Sequence, residues 1–115
     1  MCTWVRSLSN SEIRSALDGY RKALAIREAL LAITPDDTDG RLQLARIYES
    51  LGAYSFVLAG KNNRTDDWRE SRRRYQQSLD TGNDLQRRGK LKADFLNKPD
   101  EMKERLLKCE AALRN

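Results

Sequence analysis

Asp36, Asp37 and Asp39 are the densest run of carboxylates in the chain. Grouped oxygens of this kind could recruit a divalent cation. They follow Pro35 and precede an apolar-periodic stretch, however, where aspartates cap a helix and oppose its dipole, so capping is the expected role. The chain has no histidine, which removes Ser-His and Cys-His nucleophile pairs and the commonest metal ligand. Gly60-Lys61 and Gly89-Lys90 lack the upstream glycine of G-x-x-x-x-G-K, so no phosphate-cradling loop is written here. Cys2 and Cys109 stand at opposite ends without the close pairing of a metal clip or disulfide framework. The expectation is a chain without catalytic residues, metal or cofactor, suited to a reducing, cytoplasmic compartment.

Charge offers a second kind of chemistry. Residues 61–92 hold ten Lys or Arg against five Asp or Glu, while the remainder holds twelve against twelve, so the whole +5 excess sits in one segment. Arg69, Arg72, Arg73, Arg74, Arg87 and Arg88 form its core, with Lys90 and Lys92 beyond, and could contact phosphates of a nucleic acid or another anionic surface. Consecutive arginines at 72, 73 and 74 are about 100° apart around a helix and fan out, which favours a solvated face over a phosphate-tracking stripe.

The elements that carry these residues are helical. Two prolines and six glycines leave long stretches rich in Ala, Leu, Arg, Glu and Lys, the residues that lose least on entering a helix. Ser9 and Glu12 make a capping box, and Ile13, Leu17, Tyr20, Leu24 and Leu31 recur at helical spacing, giving a first helix over 9–33. Pro35 breaks it. A second helix from about Asp39 carries Leu44, Tyr48, Leu51, Ser55 and Leu58, and is expected to stop at Ala59-Gly60 on a left-handed glycine cap. Asp67 and Glu70 read as a second capping box for a third helix with Trp68, Tyr75, Leu79 and Leu85, fraying at Arg88-Gly89. Residues 90–98 read as a loop with local helix. A fourth helix over 97–115 places Met102, Leu106, Cys109 and Leu113 on one stripe. The aromatic residues share stripes with the leucines and are read as core. The longest run of strongly apolar residues, Ala29 to Ile33, is far shorter than the roughly 20 residues that span a bilayer, and the N-terminus lacks the apolar centre of a secretory signal.

An internal similarity links two of these helices. Ala16-x-x-x-Tyr20-x-x-Ala23-Leu24 returns as Ser71-x-x-x-Tyr75-x-x-Ser78-Leu79 at a constant offset of 55 residues. Small residues one turn before and after an aromatic let helix backbones approach around the ring. Between the copies lies Tyr48-x-x-Leu51-Gly52-x-x-Ser55. A large residue followed by Leu-Gly on the first helix of a hairpin resembles the tetratricopeptide-repeat (TPR) family, over about Ser11 to Arg88. The likeness is strongest to the long-repeat segments of bacterial signalling proteins, including C-terminal regions of some serine/threonine kinases. The chain departs from the 34-residue pattern in its long first helix, in an inter-helix loop enlarged by Lys61 to Asp67, and in Ser55 where a large residue is usual.

The resemblance implies an all-α fold of antiparallel helix hairpins stacked as a short right-handed superhelix, about four main helices in a single domain over 1–115. The helix over 9–33 would end a partial repeat, 39–88 would be one complete long pair, and 97–115 a capping helix. It further implies a protein-interaction or scaffold function, with a groove for a peptide or protein partner lined by Arg46, Glu49, Ala53, Phe56 and Val57. A shift of one residue would exchange Phe56 with Ser55 between groove and core. Ala53 stands where TPR domains that clamp acidic tails carry an asparagine, so chaperone-tail binding is not implied. Other readings are nucleic-acid binding through the basic segment and a structural cap or oligomerisation unit. A second apolar set on the first helix, Ala16, Ala23, Ile26, Leu30 and Ile33, exceeds what one partner helix requires. It is expected to meet either an upstream repeat or a second copy of the chain, unless Trp4 and Leu8 cover it.

Overall fold

Ser9 and Glu12 start the first helix as their spacing requires. In the computed structural model, which describes residues 7–90 and 98–114, the Glu12 backbone N–H donates to the Ser9 hydroxyl at 3.2 Å and the Ser9 backbone N–H donates to the Glu12 carboxylate at 2.9 Å. The Ser9 backbone N–H first, and the Ser9 hydroxyl second, hold the Glu12 carboxyl below its usual range. Helix α1 (Asn10–Ile33) ends where the Thr34 N–H closes on the Leu30 carbonyl before Pro35. Helix α2 (Thr38–Asn62) begins at Asp37, whose carboxylate accepts the Gly40 N–H at 3.1 Å. Helices α3 (Thr65–Arg87) and α4 (Lys98–Arg114) complete an all-α fold of four helices, with no strand among the described residues. Residues 1–6, with Cys2 and Trp4, and the stretch 91–97 lie outside the described residues, and with them the loop reading of 90–98.

Two boundaries differ from expectation. Helix α2 does not stop at Gly60. It runs on to Asn62, and Asn63 takes the left-handed cap at φ 51°, its N–H donating to the Ala59 carbonyl at 2.7 Å. Asparagine tolerates that conformation better than other residues with a side chain, and the extra turn is tied to α1. The Asn10 amide donates to the Asn62 side chain at 3.1 Å, and the Lys61 ammonium donates to the Leu8 carbonyl. Helix α3 in turn begins at Thr65, so the Asp67–Glu70 capping box is not used. Arg64 is the N-cap without a side-chain bond, and Asp66 and Asp67 sit in the first turn against the positive end of the dipole. The enlarged loop reduces to Asn63-Arg64. At the far end, Gly89 has φ 67°, just past the expected stop of α3.

Helix α2 is the centre of the bundle because it is apolar nearly all round. A helix of that kind must be covered on more than one side. Tyr48, Leu51, Tyr54, Val57 and Leu58 form one core with Ile13, Leu17 and Leu24 of α1. Leu42 and Ala45 form a second with Tyr75, Leu79 and Leu85 of α3 and Met102 and Leu106 of α4. Helix α3 has one apolar face and α4 packs on it, with Cys109 fully buried and its thiol donating to the Ser71 hydroxyl at 3.6 Å. Leu113 is half-buried at the end of that stripe.

Helices α2 and α3 approach closely at the motif residues. An ideal Cβ placed on Gly52 would come within 3.0 Å of the Tyr75 ring. On either side, the Ser71 hydroxyl donates to the Gly52 carbonyl at 2.8 Å and the Ser78 hydroxyl to the Ala45 carbonyl at 2.7 Å. These serines keep the space between backbones small and satisfy their own buried hydroxyls. The first copy of the motif is looser: Ala16, Tyr20 and Ala23 are half-buried, and the Tyr20 ring meets Tyr54 at 5.4 Å.

Candidate interaction surfaces

The five groove residues fall on one side of α2, at two levels of exposure. Arg46 is exposed, and Glu49, Ala53 and Phe56 are half-buried. Val57 belongs to the core shared with α1, and Ala53 and Phe56 pack at the edge of the core shared with α3 and α4. Val57 is 6% exposed, packed mainly against α1, with its remaining edge on the cleft at the C-terminal end of this face. Ser55 is fully buried, whereas Phe56 is half-buried. The Phe56 ring is held edge-on by Trp68 at 5.4 Å and by Tyr75 at 6.4 Å. Trp68 is half-buried, and its indole N–H has no acceptor among the described residues.

At the C-terminal end of this face Phe56 and Val57 wall a cleft of about 370 Å³ together with Gly60 and Lys61. A Cβ on Gly60 would touch nothing within 4 Å. Gly60 and Lys61 were missed in sequence because Gly60 reads as a helix end. Continued through Gly60, the helical period alone places both beside Phe56 and Val57.

Most of the basic segment is already engaged. Glu70 lies 2.8 Å from Arg73, 3.3 Å from Arg74 and 4.0 Å from Arg21 of α1. Asp84 gathers Arg87 at 3.3 Å, Arg88 at 3.2 Å and Arg41 of α2 at 3.9 Å. Arg69 pairs with Asp66 at 3.9 Å. The exposed Arg72 shares a shallow cleft of about 590 Å³ with Arg69, Arg73, Gln76, Gln77 and Glu110. Two carboxylates thus organise the arginines around the ends of α3. A further cleft, about 490 Å³, lies where Leu31, Arg41, Leu44, Thr81 and Asp84 meet.

Comparison with known proteins finds no matching family model, no matching curated protein and no matching solved structure.

The described residues carry little reactive chemistry. Burial raises the Tyr75 phenol above the usual tyrosine range, with Arg105 opposing it through a 3.1 Å bond to the hydroxyl and a position 5.9 Å from the ring centre. Burial likewise raises the Cys109 thiol, which leaves less of the reactive thiolate. Among the described residues no cluster of three or more metal-ligating side chains forms, and no helix is long and apolar enough to cross a membrane.

Proposed function

We propose that the chain is a non-enzymatic, cytoplasmic protein-interaction module of TPR type, a segment of a larger signalling protein that receives a peptide or protein partner along the outer face of α2. The observation that carries this is the cleft between Phe56, Val57, Gly60 and Lys61. Phe56 and Val57 are held from behind by two cores, so the wall is rigid before a partner arrives and little ordering cost falls on binding. Gly60 lies in the last turn of α2, and no internal neighbour needs the space its missing side chain leaves. A small cleft with an apolar wall and a lysine at its rim suits one apolar anchor side chain of a partner, flanked by a polar or acidic group.

A peptide library displayed on phage and selected against the immobilised chain tests this. Selected peptides are expected to share an apolar anchor and to lose at least about tenfold in affinity on Gly60→Trp, which fills the cleft without disturbing the core. The melting temperature of that variant should hold or rise. Failure to select any peptide above background, or peptides that bind Gly60→Trp equally well, would overturn the assignment.

A further inference from the structure

Among the described residues, three of the four large apolar side chains that stand out into solvent lie on one line of α1. Ile26 is 63% exposed, Leu30 46% and Ile33 77%, at i, i+4 and i+7. Toward the N-terminus the same line passes through Ala23 and Gly19, and a Cβ on Gly19 would meet nothing within 4 Å. Charged residues stay off it. Arg14, Asp18, Arg21 and Glu28 point elsewhere around the helix by its period, Lys22 borders the line, and Arg27 on the other border donates to the Gln43 side chain of α2. The extended packing of α1 is with α2, on the opposite side.

This line is large at one end and small at the other, and Ile26 is its midpoint. Gly19 lies seven residues before it and Ile33 seven after, while Ala23 lies three before and Leu30 four after. An isologous contact requires that whatever residue i meets also meets residue i in return. Two copies of α1 laid antiparallel about Ile26 satisfy that rule with matched sizes: Ile33 over the partner's Gly19, Leu30 over the partner's Ala23, Ile26 against the partner's Ile26. A parallel pair would set the largest residues against each other and leave a gap at the glycines. From this self-complementarity we infer that the outer face of α1 is a homodimer interface, with a second copy of the chain as its occupant, separate from the α2 face proposed above.

The size of the face sets the strength. An overlap of about 15 helical residues is about 22 Å long and about 10 Å wide, covering on the order of 200 Å² per copy. A standard stable interface takes about 800 Å² per partner. The dimer is therefore weak and reversible, populated at high micromolar concentration. Each chain carries +5 and the joining surface is apolar, so added salt strengthens association by screening the repulsion between copies.

Sedimentation equilibrium from about 10 µM to about 1 mM should show a monomer–dimer equilibrium that shifts toward dimer with salt. Ile26→Glu combined with Leu30→Glu should remain monomeric throughout with an unchanged helical circular dichroism spectrum, since both side chains are exposed. Register is read by cross-linking in a Cys2→Ser background. Ile26→Cys should form a disulfide dimer on mild oxidation. A mixture of Ile33→Cys chains with Gly19→Cys chains should cross-link, while Ile33→Cys alone should not. A wild-type chain that stays monomeric at about 1 mM, a dimer indifferent to the glutamates, or cross-links of Ile33→Cys to itself would overturn the inference.

Discussion

Gly52 lies in mid-helix, where a glycine costs stability unless its missing side chain is needed. Here it is needed, because the Tyr75 ring occupies that space and is itself fully buried and hydrogen-bonded to Arg105. The ring cannot move without breaking the second core. Gly52→Leu should therefore destabilise the fold by about 1–3 kcal/mol through overpacking, lowering the melting temperature by several degrees. Thermal denaturation checks this, and a variant that melts at or above the parent would mean the crossing is loose. The Leu-Gly step of α2 was legible in sequence, but the large partner at Gly52 is Tyr75 of α3 and not Tyr48 of its own helix, a pairing that no local pattern announces. The fate of Phe56 was less legible. Its helical period allows groove or core, and only the placement of Trp68 and Tyr75 against it shows that it is half-buried at the edge of the second core.

At the scale of the element, legibility follows whether the boundary signal is local. The start of α1 is set by Ser9 and Glu12 alone, and the start of α2 by Asp37 and Gly40. Both were readable to within about two residues. The end of α2 is not local. Gly60 and Asn63 can each cap it, and the choice falls to Asn63 because Lys61 and Asn62 reach across to Leu8 and Asn10, contacts that no local pattern announces. Once α2 is longer, the turn shortens and α3 starts before its apparent capping box. The α1 cap has a pH signature. The Glu12 carboxyl is held below its usual value in the folded chain, first by the Ser9 backbone bond. Its stabilising contribution is complete above the unfolded carboxyl pKa and is lost as pH falls through the folded one. The gap in melting temperature between wild type and Glu12→Gln should therefore be present at neutral pH and close in acid. Melts across that range read it directly, and a gap that is independent of pH would show that the carboxylate charge plays no part in the cap.

Among the described residues α2 lies between α1 on one side and α3 on the other, and α4 packs on α3 and closes the second core. Covering α2 this way uses most of its surface for the two cores and leaves a narrow outer face, ending in the Phe56–Lys61 cleft. It also leaves α1 with an apolar line facing solvent and α3 with arginines drawn onto Glu70 and Asp84. These are three surfaces of different chemistry, and the proposed partner site is the first. Amide chemical-shift mapping of the labelled chain, titrated with the tightest phage-selected peptide, distinguishes them in a single spectrum series. The expected shifts are concentrated along α2 from Arg46 to Lys61, strongest around Gly60. Shifts confined to Arg69–Arg74 of α3, or to Ala23–Ile33 of α1, would contradict it.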